Sequence, residues 1–193
     1  MCFALAPNLI MAKSSIRFST FPQTEPPPAF VPDIISVFEA HEPYIATLDL
    51  EKGLTSDKVL AVLRADLVRI GFDVEGGKRR EQIIERPVFY GENGIPTVRY
   101  QIDAYHPVWK CALEVEAGRA WMGNAVYRDL IQASVMVNVD HLILAVPLSY
   151  KYMTGKKQKQ TVNRDYEYTR ALASALYGHT RFRLPYSLVV IGY

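Results

Sequence analysis

Three carboxylates are placed where apolar strands are expected. Asp103 closes the alternating stretch TVRYQID (97–103), and Glu114 and Glu116 interrupt the next apolar run, Cys111, Ala112, Leu113, Val115 and Ala117. In a strand, residues two apart share a face, so Glu114 and Glu116 project to the same side. A short turn containing Pro107 lets their strand lie beside Asp103. Carboxylates that converge raise one another's pKa and repel unless a proton or a cation intervenes. An all-oxygen donor set calls for a hard divalent ion, Mg2+ first and Mn2+ as its substitute. No histidine and thiolate set lies nearby, so zinc is disfavoured. An ion of this kind suits activation of a water and neutralisation of charge at a phosphorus centre. Plainer readings stand beside this one: an E-x-E on a solvent-facing edge strand is ordinary, and an isolated aspartate at a strand end is turn chemistry. His106, before Pro107, reads as a turn residue.

The surrounding periodicities say what must position these acids. SDKVLAVLRADLVRIGF (56–72) sets Val59, Leu60, Leu63, Leu67 and Ile70 on one helical face, with Thr55 or Ser56 as N-cap and Gly71 as the stop. FDVE (72–75) reads as a short strand ending at Glu75, GGKRREQ (76–82) as a turn, and 87–105 as two strands joined at Glu92-Asn93-Gly94. After the strand 109–117, NAVYRDLIQASVMVN (124–138) predicts a helix with Val126, Leu130, Ile131, Val135 and Met136 inward and Asn124 as its cap. HLILAVPLSY (141–150) has the continuous apolarity of a strand covered on both faces. KYMTGKKQKQ (151–160) reads as a basic loop, 165–178 as a helix and 187–193 as a last strand. Residues 1–32 end in FPQTEPPPAFVP, whose prolines predict an extended, flexible leader outside a single domain spanning 33–193. Residues 33–50 are expected to hold a helix and then an extended piece, broken at Pro43.

The order of helix, strand meander, helix and strand is that of an α/β protein with a central mixed sheet flanked by helices. An aspartate at one strand end, followed by Glu114-Val115-Glu116 on the next strand, resembles the PD-(D/E)XK nuclease superfamily. Within it the chain is similar to the branch with glutamate in place of the usual lysine, as in BamHI-type restriction endonucleases. The resemblance covers roughly residues 55–148 and implies a restriction endonuclease-like αβββαβ core. It further implies that Asp103, Glu114 and the Val115 carbonyl hold the metal ion, and that Glu116 positions or deprotonates the attacking water. Glu75 would be a further ligand and Lys78 a replacement cation. The implied substrate is DNA, and the implied assembly a homodimer. Two departures accompany the likeness: Ile102 precedes Asp103 where the superfamily has proline, and position 116 carries no lysine.

Bulk properties are compatible with this reading without demanding it. The chain of 193 residues carries a net charge of +2, so any attraction for a polyanion must come from local patches. Lys78, Arg79 and Arg80 form one basic cluster, and KKQKQ, containing Lys156 and Lys157, forms a second; Arg119 follows the E-x-E strand. Each is a candidate phosphate contact, and each would also be ordinary as a solvated turn. Trp121, Tyr127, Tyr166, Tyr168 and Tyr177 are read as packing residues. Cys2 and Cys111 make neither a disulfide framework nor a zinc set, which fits the cytosol. No apolar run reaches membrane-spanning length, and MCFALAPNLIMAK lacks a basic start and a cleavage site.

Overall fold

A computed structural model describes residues 14–48, 53–118, 120, 123–154 and 159–193. In chain order the elements are β1 (Arg17–Phe21), α1 (Val31–Ile45), α2 (Ser56–Arg69), β2 (Asp73–Val74), β3 (Ile84–Tyr90), β4 (Pro96–Ile102), β5 (Ala104–His106), β6 (Cys111–Val115), α3 (Ala125–Val135), β7 (His141–Val146), β8 (Tyr150–Thr154), β9 (Lys159–Asn163), α4 (Asp165–Gly178) and β10 (Ser187–Gly192). Six strands form one mixed sheet in the order β1-β10-β7-β6-β5-β2. β7 runs parallel to both β6 and β10, whereas β5, β2 and β1 are antiparallel to their neighbours.

Two cores lie on opposite faces of this sheet, and the alternation along the strands divides them. On one face Leu113, Ile143 and Val189 meet α1 and α2 through Ile34, Phe38, Leu63 and Leu67. On the other, Ala112, Leu142, Leu144 and Val190 meet α3 and α4 through Val126, Leu130, Tyr166 and Ala173. The apolar run at 141–146 is therefore a central strand covered on both sides, as its composition requires. β6 lies between β7 and β5, so its glutamates do not sit on an edge strand.

Four elements differ from the sequence reading. The leader is not wholly outside the domain: β1 pairs with β10, and Phe21, 1% exposed, packs against Tyr177 with ring centroids 5.7 Å apart. The prolines that follow occupy a turn and the first turn of α1, where a missing N–H costs nothing, and Pro43 falls in the last turn of that helix. β3 and β4 leave the main sheet to form a two-stranded hairpin of their own, turning at Asn93 and Gly94, both with positive φ. The expected basic loop is the β8–β9 hairpin, and Lys156 and Lys157 lie outside the described residues. In α3 the buried face is Val126, Asp129, Leu130 and Ala133, while Ile131 and Val135 are exposed, because the helix is turned to bring Asp129 inward.

Removal of a fully buried phenylalanine side chain costs about 3–5 kcal/mol. Phe21→Ala is therefore expected to lower the unfolding free energy by about 3 kcal/mol in urea denaturation. An unchanged midpoint would show that β1 is not part of the cooperative unit.

Candidate active site

Strand register gathers the acids. β5 and β6 pair Ala104 with Leu113, and one further step places Asp103 opposite Glu114. β2 and β5 pair Val74 with Ala104, and the next step places Glu75 opposite Asp103, where the Glu75 N–H donates to the Asp103 carbonyl at 2.8 Å. Glu75, Asp103 and Glu114 thus form one row across three adjacent strands. The row continues inward through Leu144 and Val190, so it is acidic at one end and apolar in the core. All three acids line a cleft of about 490 Å³, together with Lys78, Arg99 and Arg128.

The chain enters this row under tight local control. The Val115 N–H donates to the Asp103 carboxylate at 2.8 Å and locks the aspartate against β6. His106 supports the same corner: its Nε2 donates to the Ile70 carbonyl at 3.0 Å, its Nδ1 accepts the Trp109 N–H at 3.1 Å, and its ring stacks on Trp109 at 3.7 Å. Gly71 is needed there twice over: its φ is +103°, and an added methyl would lie only 2.6 Å from His106 Nε2. His106 is a structural clamp between α2 and β5, and it does not line the acidic cleft.

Burial without enough counter-charge perturbs Asp103, Glu114 and Glu116. Asp103 is pushed up to about 6 by burial and by repulsion from Glu75, against the opposing Val115 hydrogen bond. Glu114 is held well above the carboxylate range by burial and then by Asp103, Asp129 and Glu116. Glu116 rises to about 8, by burial first and then by Asp129.

Glu116 is placed differently from its sequence expectation. It does not line the cleft; Arg128 Nη2 donates to its carboxylate at 2.8 Å, while Arg128 Nε donates to Asp129 at 2.9 Å. Tyr193 holds the Glu116 carbonyl through a 2.8 Å hydrogen bond. Asp129 is a member of the cluster that the sequence reading omitted. It is 2% exposed, and its Oδ2 has no donor among the described residues. Its one sequence signal was its position, three residues after Val126 and directly before Leu130, on the face that had to be buried.

Lys78 does sit at the acids, 3.0 Å from Glu75 and 3.2 Å from Asp57. Arg79 is exposed on the turn before β3, and Arg119 lies outside the described residues. Among the described residues, no group of three or more histidine, cysteine, aspartate or glutamate side chains is arranged to hold a metal ion. The donors nevertheless suit a hard cation in kind: they are carboxylates, they open on a shared cleft, and Glu114 is repelled by three neighbours without a hydrogen-bonded cation of its own. No protein-family model matches the chain, and no curated protein matches it in sequence.

These raised carboxylates fix a pH dependence. The native state keeps protons that the unfolded chain has released, so stability falls as pH rises from the ordinary aspartate value of 3.8 through about 6 for Asp103 and about 8 for Glu116. Glu114→Gln removes a repelling charge and is expected to stabilise the protein by about 1 kcal/mol at pH 8, with little effect at pH 4. Thermal unfolding at the two pH values checks this, and an equal effect at both would refute repulsion as the cause.

Proposed function

We propose that the protein is a metal-dependent DNA endonuclease that hydrolyses phosphodiester bonds. The observation carrying this reading is the row of Glu75, Asp103 and Glu114 across β2, β5 and β6, open to one cleft. The order of elements supports it. α2 precedes three strands paired antiparallel, α3 follows, and β7 returns parallel beside β6. This sequence of elements supports the αβββαβ core that the resemblance implies, with the β3–β4 hairpin as an addition between the first two strands.

In this reading Asp103, Glu114 and the Val115 carbonyl would hold a divalent ion, with Glu75 as a further ligand. Such an ion, Mg2+ or Mn2+, supplies acidification of a bound water and offsets charge on the phosphoryl oxygens. Val115 N–H keeps Asp103 oriented towards Glu114. Lys78, at the Glu75 end of the row, supplies positive charge beside an otherwise anionic cleft and, with Arg79, favours approach of a phosphate backbone. Glu116 lies beside the cleft on Arg128, so it would take the proton of the attacking water only after leaving Arg128 and turning into the cleft. In-line attack leaves a 5′-phosphate and a 3′-hydroxyl. Cutting both strands of a duplex needs two such sites, which a second copy of the chain would supply.

A second reading is a nucleic-acid-binding domain of the same fold that does not cleave. It is favoured by the engagement of the Glu116 carboxylate with Arg128 and its absence from the cleft lining. Incubation with supercoiled plasmid and linear duplex, with Mg2+ or Mn2+ against EDTA, separates the two. The nuclease reading expects metal-dependent nicking or cutting that Asp103→Ala and Glu114→Ala each reduce by at least about a hundredfold while remaining folded. DNA binding with every substrate left intact would leave the binding-domain reading in its place.

A further inference from the structure

The β3–β4 hairpin is an excursion from the sheet, inserted between β2, which Glu75 directly follows, and the bend that carries Asp103. Its base is fixed. Arg86 lies over the Tyr105 ring at 4.0 Å and donates to the Val137 carbonyl at 3.2 Å, and the Val137 N–H donates to Pro87 at 2.8 Å. From this base the hairpin continues the wall of the acidic cleft. Asp103, Gln101 and Arg99, at alternate positions along the chain, all line it. Arg99 is about half exposed, and its one ion-pair partner among the described residues, Glu85, is 3.8 Å away, at the limit of such a contact.

Beyond Arg99 the hairpin turns apolar. Phe89, Tyr90 and Ile95 are 61%, 53% and 61% exposed, and Val98 is also open to solvent. Nothing in the folding of the main sheet requires large apolar side chains there, since the hairpin forms a separate two-stranded sheet. These four residues sit on a two-stranded ribbon, whereas a stable protein interface buries roughly 800 Å² per partner. Arg99 on the cleft wall and exposed aromatic rings farther out on the same hairpin are the two kinds of group that hold a nucleic-acid strand: cation to phosphate, ring to base. The bases of an intact duplex are stacked on one another, so exposed rings can take only unpaired ones.

We infer that the β3–β4 hairpin is a substrate arm of the cleft, on which Arg99 meets a phosphate and Phe89 and Tyr90 stack on unpaired bases. This inference rests on the nuclease reading and gives its substrate class: DNA with a single-stranded segment leading into the cleft. A strand held on the hairpin is directed along Arg99 and Gln101 towards Asp103.

Fluorescence anisotropy of a labelled 20-mer oligothymidylate, and of a duplex of equal length, measured in EDTA with the full chain, tests this apart from cleavage. The single strand is expected to bind more tightly than the duplex. Phe89→Ala with Tyr90→Ala is expected to weaken single-strand binding at least about tenfold and duplex binding less than about twofold, with an unchanged thermal midpoint. Phe89→Trp with Tyr90→Trp is expected to retain wild-type single-strand affinity. Single-strand binding that survives the double alanine variant overturns the inference, as does an equal loss on both substrates. So does a double alanine variant whose only change is loss of self-association, which would make the hairpin a protein contact. Metal-dependent plasmid cleavage, lost in Asp103→Ala, would meanwhile uphold the nuclease reading even if the hairpin inference failed.

Discussion

Like charges buried on interior strands are the constraint around which this structure is arranged. Glu114 lies on a strand with neighbours on both sides, Asp103 is hydrogen-bonded to that strand's backbone, and Glu75 completes the row. In a fold selected for stability alone, apolar side chains of similar size would serve better at these positions. The protein has kept acids there and surrounded them with partial remedies. Lys78 compensates Glu75, Arg128 compensates Glu116 and Asp129, and the Val115 N–H compensates Asp103. Glu114 has the least compensation and faces the cleft. Residual repulsion concentrated at one accessible point is an electrostatic site for a cation, and it is the physical ground of the functional proposal.

The two helical layers exist to make this arrangement affordable. One face of the sheet is largely apolar, with His106 as a hydrogen-bonded exception, and packs on α1 and α2; the other is apolar under α4 and turns polar where α3 approaches β6. α3 is accordingly a mixed helix. It buries Val126, Leu130 and Ala133 as core and Asp129 as part of the acid cluster, leaving Ile131 and Val135 outside.

Much of this was legible in the sequence, and the exceptions share a cause. α2, β7, α4 and β10 follow from periodicity, because their apolar patterns match simple burial on one face or two. The acid pair Asp103 and Glu114 was legible because period 2 and a short turn determine which residues can be opposite. The face of α3 was misassigned because hydrophobicity ranks Ile131 above Asp129, whereas the site demands a carboxylate inside. β1 was hidden because five residues with little alternation carry no signal until β10 is present to pair with them. The departure of β3 and β4 from the sheet was equally invisible, since a hairpin reads the same whether or not its outer edges find partners. Glu116 shows the limit of spacing arguments: it lies two residues after Glu114, yet its carboxylate is bound by Arg128 and does not line the cleft.

The hairpin between β2 and β5 also bears on how the site comes into being. Glu75 and Asp103 are neighbours in space but are separated in the chain by the turn after β2 and both strands of the excursion. Closing such a separation as open coil costs more entropy than closing a short one, whereas a hairpin forms locally, on the order of microseconds, and brings its two ends together unaided. β3–β4 thus acts as a folding staple. Once its base has closed, only residues 75–83 and Asp103 are left to close between β2 and β5. The most repulsive part of the molecule is in this way put together by one of its most local contacts.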